Sequence, residues 1–197
     1  MNLLNEQDLT KVEIIEASKE VFKKFGYTKV SMEDIAKAAN KSRSTLYNHF
    51  KNKKEVFQAF IIRSFLNLIE EAEARIQMNV SLESNLEAYY DSRANALHIL
   101  LTEYANIVED IKVHPDFSRR FNVDRDKREA HVLAKILRIA IRNKEITPIS
   151  EEDLNFLADL MVSVMRNFEE EIILNNKFHE IQQRRGWLVS ILSKGLR

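Results

Sequence analysis

Residues 22–60 read FKKFGYTKVSMEDIAKAANKSRSTLYNHFKNKKEVFQAF, and the fold turns on how this stretch is punctuated. Just upstream and into it, Ile14, Ser18, Val21, Phe22 and Phe25 recur at helical spacing. Gly26 follows as a C-cap, because a residue without Cβ accepts positive φ at little cost. Tyr27 to Val30 form a connection. Ser31, with Asp34 three residues on, is a variant of the capping box and opens a second helix over Met32–Ala39. Met32, Ile35, Ala36 and Ala39 share one face of it. Asn40 and Lys41 make a tight turn, since asparagine tolerates left-handed geometry. Ser42 caps a third helix running through His49, with Leu46 and Phe50 on its inner side. Asn52 and Glu55 then open a long fourth helix. Its apolar stripe is Val56, Phe57, Phe60, Ile61, Phe65, Leu68, Ile69 and Ala72.

Two short helices joined by a tight turn, with a third before them, make a helix-turn-helix module. The second helix of such a pair lies in the major groove, where its first residues meet phosphates and base edges. Those residues must be short polar or basic groups. Here they are Ser42, Arg43, Ser44 and Thr45, followed by Tyr47, Asn48 and His49. No acid occurs from Asn40 to Lys54, a favourable field for a phosphate backbone. Residues 1–54 carry a net charge of about +4 and the remainder about −4, so a mildly basic module precedes an acidic body. Ser31 and Ser42 read as helix caps, which leaves a phosphate contact open to them. Tyr47 is expected outside, because Leu46 and Phe50 already fill the inner side. Lys51, Lys53 and Lys54 read either as a solvated charge cluster or as part of a DNA face.

The stretch resembles the N-terminal domain of the tetracycline-repressor (TetR) family. The matching elements are Phe25-Gly26-Tyr27, Ile35-Ala36-Lys37-Ala38-Ala39, the Ser-x-Ser-Thr-Leu-Tyr-x-x-Phe run from Ser42 to Phe50, and the Lys-x-Lys-Lys-Glu-x-Phe run from Lys51 to Phe57. The resemblance covers about residues 10 to 62. It departs from the family at Asn40-Lys41, where Gly-Val is usual, and at Ser44, where glycine is frequent. By position it implies a DNA face of Ser31, Ser42, Arg43, Ser44, Thr45, Tyr47, Asn48, His49 and Lys53. It places Tyr47 and Lys53 on phosphates. Arg43 is the candidate for reading a guanine edge, because its fork binds bidentately.

Beyond the module the chain stays helical by period. Ser81 caps a predicted helix over Leu82–Val108, and Pro115 marks a break. A short helix is expected over Asp116–Phe121 and another over Asp124–Asn143, ended by Thr147-Pro148. Ser150 with Asp153 caps a helix over Glu151–Leu174, and residues 177 to 194 form the last. The fold class is therefore all-α: a three-helix DNA-binding domain over residues 1–52, followed by a helical domain over 53–197, which the resemblance implies binds an effector and dimerises. The resemblance implies a double-stranded DNA operator, a homodimer through the last two helices, and a small-molecule effector of unknown identity among the middle helices. Candidate effector-binding residues are Tyr89, Tyr90, Arg93, Leu97, Leu101, Tyr104, Phe121, Met161 and Met165. The alternative for each is plain core packing. An Arg93 inside an apolar face would suit an anionic ligand, against an Arg93 that is exposed or ion-paired.

Composition supports this outline. Three glycines and two prolines in 197 residues favour long helices with few breaks. The absence of cysteine excludes disulfides, thiolate metal sites and cysteine nucleophiles. His98, His114, His131 and His179 show no metal spacing, and neither metal nor cofactor is expected. No apolar run approaches the ~20 residues that span a bilayer. Met1 to Lys11 lack the apolar core of a secretory signal, so a cytoplasmic protein without a membrane partner is expected. An all-helical enzyme is the competing class, but G-x-S-x-G, the Walker loop, H-E-x-x-H and the dinucleotide fingerprint are all missing. A helical scaffold that no longer binds DNA is the third reading.

Overall fold

A computed structural model describes residues 8–113, 122–175 and 177–196. Among these residues there are nine α-helices and no strand. They are α1 Leu9–Phe25, α2 Met32–Ala38, α3 Arg43–His49, α4 Lys53–Ala74, α5 Leu82–Glu103, α6 Ala105–Val113, α7 Asn122–Arg142, α8 Glu151–Asn175 and α9 Phe178–Gly195. The expected short helix over residues 116–121, and with it Phe121, lies outside the described residues. None of the described helices is long and apolar enough to cross a membrane.

The chain forms two compact units. The first comprises Met1–Phe65 with Ile99–Phe121, and the second Leu66–His98 with Asn122–Arg197. Helices α4 and α5 each contribute residues to both.

In the first unit the caps form as the residue types dictate. Asp8 caps α1 by accepting from the Lys11 amide at 3.1 Å. Ser31 and Asp34 complete a reciprocal capping box: Asp34 N–H donates to Ser31 Oγ and Ser31 N–H to the Asp34 carboxylate. Ser42 Oγ accepts from the Thr45 amide at 3.1 Å and starts α3. Such a cap contributes about 1 kcal/mol, a real fraction of what a seven-residue helix needs. Asn40 takes φ 51°, as the turn requires. Lys41 beside it carries its ammonium out to Glu13 of α1, 2.7 Å away, while its stem stays half-buried. Packing does the rest. Phe22 meets Phe57 edge-on at 4.9 Å and stacks on Phe60 at 5.8 Å. Ile14, Ile35, Leu46, Val56 and Ile107 close the same core without exposure. Phe25 departs from the expected stripe: it is 45% exposed, with the Lys24 ammonium over its ring.

Where the sequence predicts one helix over Leu82–Val108, the structure has two. The break falls at Tyr104, whose amide still donates to the Leu100 carbonyl and whose own carbonyl accepts from Ile107 and Val108. No glycine or proline marks it. The new direction buries Ile107 in the first core and brings Asp110 of α6 to the turn after α1. Asp110 accepts from the Tyr27 amide, the Thr28 amide and the Thr28 hydroxyl. Gly26 makes this approach possible. Its φ is +74°, and a Cβ there would sit 2.5 Å from Asp110 Oδ2.

The second unit has its own core. Leu86 and Tyr89 of α5, Leu133, Ile136 and Leu137 of α7, Leu154 and Ala158 of α8 and Val189 of α9 pack together. The apolar stripe of α4 is thus divided, with Val56, Phe57 and Phe60 serving the first core and Ile69 and Ala72 the second. Buried Asn85 pins the α4–α5 connection through both its amide groups to the Gln77 backbone, at 2.8 and 2.9 Å.

Gly26→Ala combines a positive φ with a steric clash, so it should cost about 2 kcal/mol. The reading is a lower urea midpoint for the first unit at an unchanged slope.

Candidate nucleic-acid interface and effector region

The third helix divides cleanly. Leu46 is fully buried, and Phe50 just past the helix end is buried with it. Arg43, Ser44, Tyr47 and Asn48 are exposed, and Thr45 and His49 lie half-buried at the margin. The guanidinium of Arg43 stands over the Tyr47 ring, 5.9 Å from its centre, so the two form one exposed planar pair. Glu33 of α2 is 4.0 Å from Arg43, too loose to hold it at the surface. Ser42 Oγ lies 2.8 Å from both Ser44 Oγ and Thr45 Oγ1, a small hydroxyl cluster at the helix start. Ser31 is exposed but engaged with Asp34.

Lys53 and His49 are placed differently from a free cationic contact. The Lys53 ammonium donates to the carbonyls of Tyr27 at 2.8 Å and Thr28 at 3.2 Å, and sits 4.5 Å from the centre of the Tyr27 ring. Partial burial lowers its proton affinity below the ordinary lysine value, with Asp110 opposing. Burial likewise raises that of the Tyr27 phenol. His49 Nδ1 meets Asp8 Oδ2 at 2.9 Å. Neither partnership was legible, because Asp8 is 41 positions from His49 and backbone carbonyls have no signature in sequence.

The candidate effector residues separate. Tyr89, Tyr90 and Met161 lie in the second unit's core, with Met165 packed against it. Leu97 is buried and Leu101 half-buried. Tyr104 belongs to the first unit, where it packs on that core beside Phe60 and under the Lys23 ammonium. The one-face pattern of α5 therefore does not bring Tyr104 to Tyr89 and Tyr90. Phe121 lies outside the described residues.

Arg93 is 3% exposed and is ion-paired, not vacant. Its Nη2 bonds Glu169 of α8, and its Nε lies 3.0 Å from Glu129 Oε1 of α7. That second pair meets as charges without a hydrogen bond. Arg125, Asp126 and Arg166 extend the cluster, with Arg166 2.6 Å from Asp126. Burial opposes the Arg93 charge, but Glu169 and Glu129 outweigh it and hold the guanidinium protonated. Burial pushes the Glu129 carboxyl up against the pull of Arg93. It also raises both Tyr89 and Tyr90, with Glu129 adding to the effect. An anionic ligand at Arg93 would have to displace two carboxylates. Among the described residues no group of acids, histidines and cysteines is arranged to hold a metal ion.

The geometry of α1 to α3 is that of a helix-turn-helix, and residues 14–60 match the family model for bacterial regulatory proteins of the tetR family. Over these residues the chain is similar to the TetR family of bacterial regulatory proteins. Among curated relatives, the transcriptional regulator UidR of Escherichia coli is 26% identical over 181 residues, covering 86% of this chain and 87% of the relative. The uncharacterised regulator YhgD of Bacillus subtilis is 30% identical over 73 residues, and this chain spans 38% of its length. Of solved structures, a TetR-family regulator from Pectobacterium atrosepticum superimposes with a TM-score of 0.73 at 20% identity. That match covers 97% of this chain and 95% of the other. SmeT in complex with triclosan gives 0.61 at 17% identity, over 93% and 89% of the two chains. These structural matches extend to the helical body and show its fold.

Arg93→Met would leave Glu129 and Glu169 buried against uncompensated charge. Breaking one side of a buried pair costs about 3–5 kcal/mol, so the variant should show a matching loss in chemical denaturation, with the second unit's transition moving first.

Proposed function

We propose that this protein is a TetR-family regulator that binds a palindromic double-stranded operator as a homodimer, represses the adjoining genes, and leaves the DNA when a small-molecule effector binds its body. The observation that carries the reading is α3, which buries Leu46 and presents Arg43, Ser44, Tyr47 and Asn48 on a segment free of acids. Residues 1–52 are the DNA-binding domain and 53–197 the effector-binding and dimerisation domain. It acts in the cytoplasm, where the operator is. Ser31, Ser42, Thr45, His49 and Lys53 complete the DNA face. Lys53 then works mainly by fixing the turn it holds.

Support for the dimer comes from α8 and α9. Inward positions of α8 are Leu154, Ala158, Met161 and Val162, all buried. A second apolar line, Phe156, Leu160 and Val164 at intervals of four, stays exposed at 69%, 49% and 44%. Trp187, Leu188 and Ile191 form the counterpart on α9. So large an apolar face on helices is typical of an interface, and four such helices pack at about 20°. A two-fold pair also brings two recognition helices to successive half-sites. The effector region rests on the middle helices. Because Arg93 is neutralised within the protein, the ligand is read as uncharged and mostly apolar, with Tyr89 and Tyr90 the nearby hydroxyls and Leu97, Leu101, Met161 and Met165 the apolar contacts.

Selection of genomic fragments by the purified protein tests the whole. A recovered palindrome bound with a steep negative salt slope supports it. Retention of no duplex at low salt would leave only a helical scaffold. On the recovered operator, Arg43→Ala should relax the preference at one base position per half-site by about 1–3 kcal/mol. An unaltered profile over all single-base variants removes Arg43 from readout. Leu160→Glu with Ile191→Glu alters exposed positions only, so sedimentation should find a folded monomer. A dimeric double variant puts the interface elsewhere.

A further inference from the structure

The outward line of α8 does not stop at Val164. From Leu157 it runs through Leu160, Val164, Asn167, Glu171 and Leu174, in alternating steps of three and four residues. That is the spacing of a seam that packs on another helix. Leu157 is half-buried, and the residues after it on this line are exposed. Two of them are polar, and they differ. Glu171 is satisfied within the protomer: its carboxylate accepts from Lys177 Nζ at 2.9 Å and from Asn175 Nδ2 at 3.0 Å. Asn167 is not. Its Nδ2 donates to the Ser163 carbonyl, one turn back, at 2.9 Å. A carbonyl only accepts, so the nitrogen of the carboxamide must face the helix and Oδ1 turns away from it. Among the described residues Oδ1 has no donor.

The outward line of α9 is built alike. Glu180 and Arg184 pair with each other at 2.7 Å, and Trp187 and Ile191 follow at steps of three and four. Charge says what covers these two lines. Helix α8 carries seven acids and one arginine, whereas α9 carries one acid against Arg184, Arg185 and Lys194. A two-fold axis that lays α8 on the partner's α9 sets acid beside base twice over, and α8 against another acidic helix would be repelled. The occupant of this face is therefore a second copy of the chain.

An apolar seam alone can slide, because leucine meets leucine in more than one register. A polar group does not slide with it. An acceptor cut off from water is costly unless a donor stands opposite. One asparagine in an otherwise apolar seam fixes register and the number of chains in this way, at some cost in affinity. We propose that Asn167 is the residue that sets the specificity of the homodimer. Its Oδ1 accepts from a donor on the partner's α9, and this contact selects one register and two chains from the arrangements an apolar face allows.

The inference rests on the homodimer reading above. It is tested on the full chain by sedimentation velocity over a range of concentrations, with folding followed by circular dichroism. Asn167 is exposed in the protomer, so its variants should fold. Asn167→Leu removes both the cost and the constraint. It should associate at least about tenfold more tightly and no longer as a single dimeric species. Asn167→Asp at pH 8 puts a covered charge without a counter-charge at the same point, and should weaken association by about a hundredfold or more. A leucine variant that remains one dimeric species, at whatever affinity, overturns the proposal. So does an aspartate variant as tight as wild type, which would place Asn167 outside the interface. If Leu160→Glu with Ile191→Glu gives a monomer while both Asn167 variants match wild type, this inference alone falls. If that double variant stays dimeric, the inference falls together with the homodimer reading of this face.

Discussion

The turn from Gly26 to Thr28 is gripped by opposite charges from two directions. Asp110 of α6 takes its amide hydrogens and Lys53 of α4 takes its carbonyls. A bare turn would satisfy these groups with water and wander. Held this way, it fixes where α2 starts, and α2 through the Asn40 turn fixes α3. The grip depends on Gly26, since any side chain there would occupy the space of the Asp110 carboxylate. The direction of the recognition helix is therefore set by residues far outside the helix-turn-helix.

The same grip ties two segments distant in sequence. Residues 99–113 fold with the N-terminal module, although they follow a helix that begins in the other unit. Tyr104, Ile107 and Asp110 supply the contacts: a ring beside Phe60, a fully buried side chain and a carboxylate on the turn. Asn106 adds a hydrogen bond to the Lys24 carbonyl at 3.0 Å. Any force on α6 thus reaches the α1–α2 turn without passing through α3.

Local chemistry made much of this fold legible. Ser31, Ser42, Ser81 and Ser150 cap the helices their neighbours announce, because a hydroxyl three residues ahead of a free amide acts at short range. Asn40 takes its positive φ for an equally local reason. The recognition helix, with Leu46 in and Tyr47 out, follows from period alone. What escaped is long-range. The break at Tyr104 answers to packing, not to a breaker residue. Arg93 on its apolar face reads as a ligand anchor or as ion-paired, and the structure pairs it, but its partners Glu129 and Glu169 lie 36 and 76 positions away and could not be named. On α8 apolar residues occupy more than one side, so period alone does not say which side faces the core, and the fold sets Phe156 and Leu160 outside.

The Arg93 cluster bears on specificity as well as stability. Among the described residues three cations and three anions meet in it, and at the buried Arg93 and Glu129 an excess of either sign would be costly. A ligand entering beside it meets no spare charge to neutralise its own. The Tyr89 and Tyr90 hydroxyls nearby keep their protons, because burial and Glu129 raise both phenols. A phenol that stays protonated is a dependable donor to an oxygen and a poor partner for a cation. Selectivity in such a region would come from shape and from one or two hydrogen bonds.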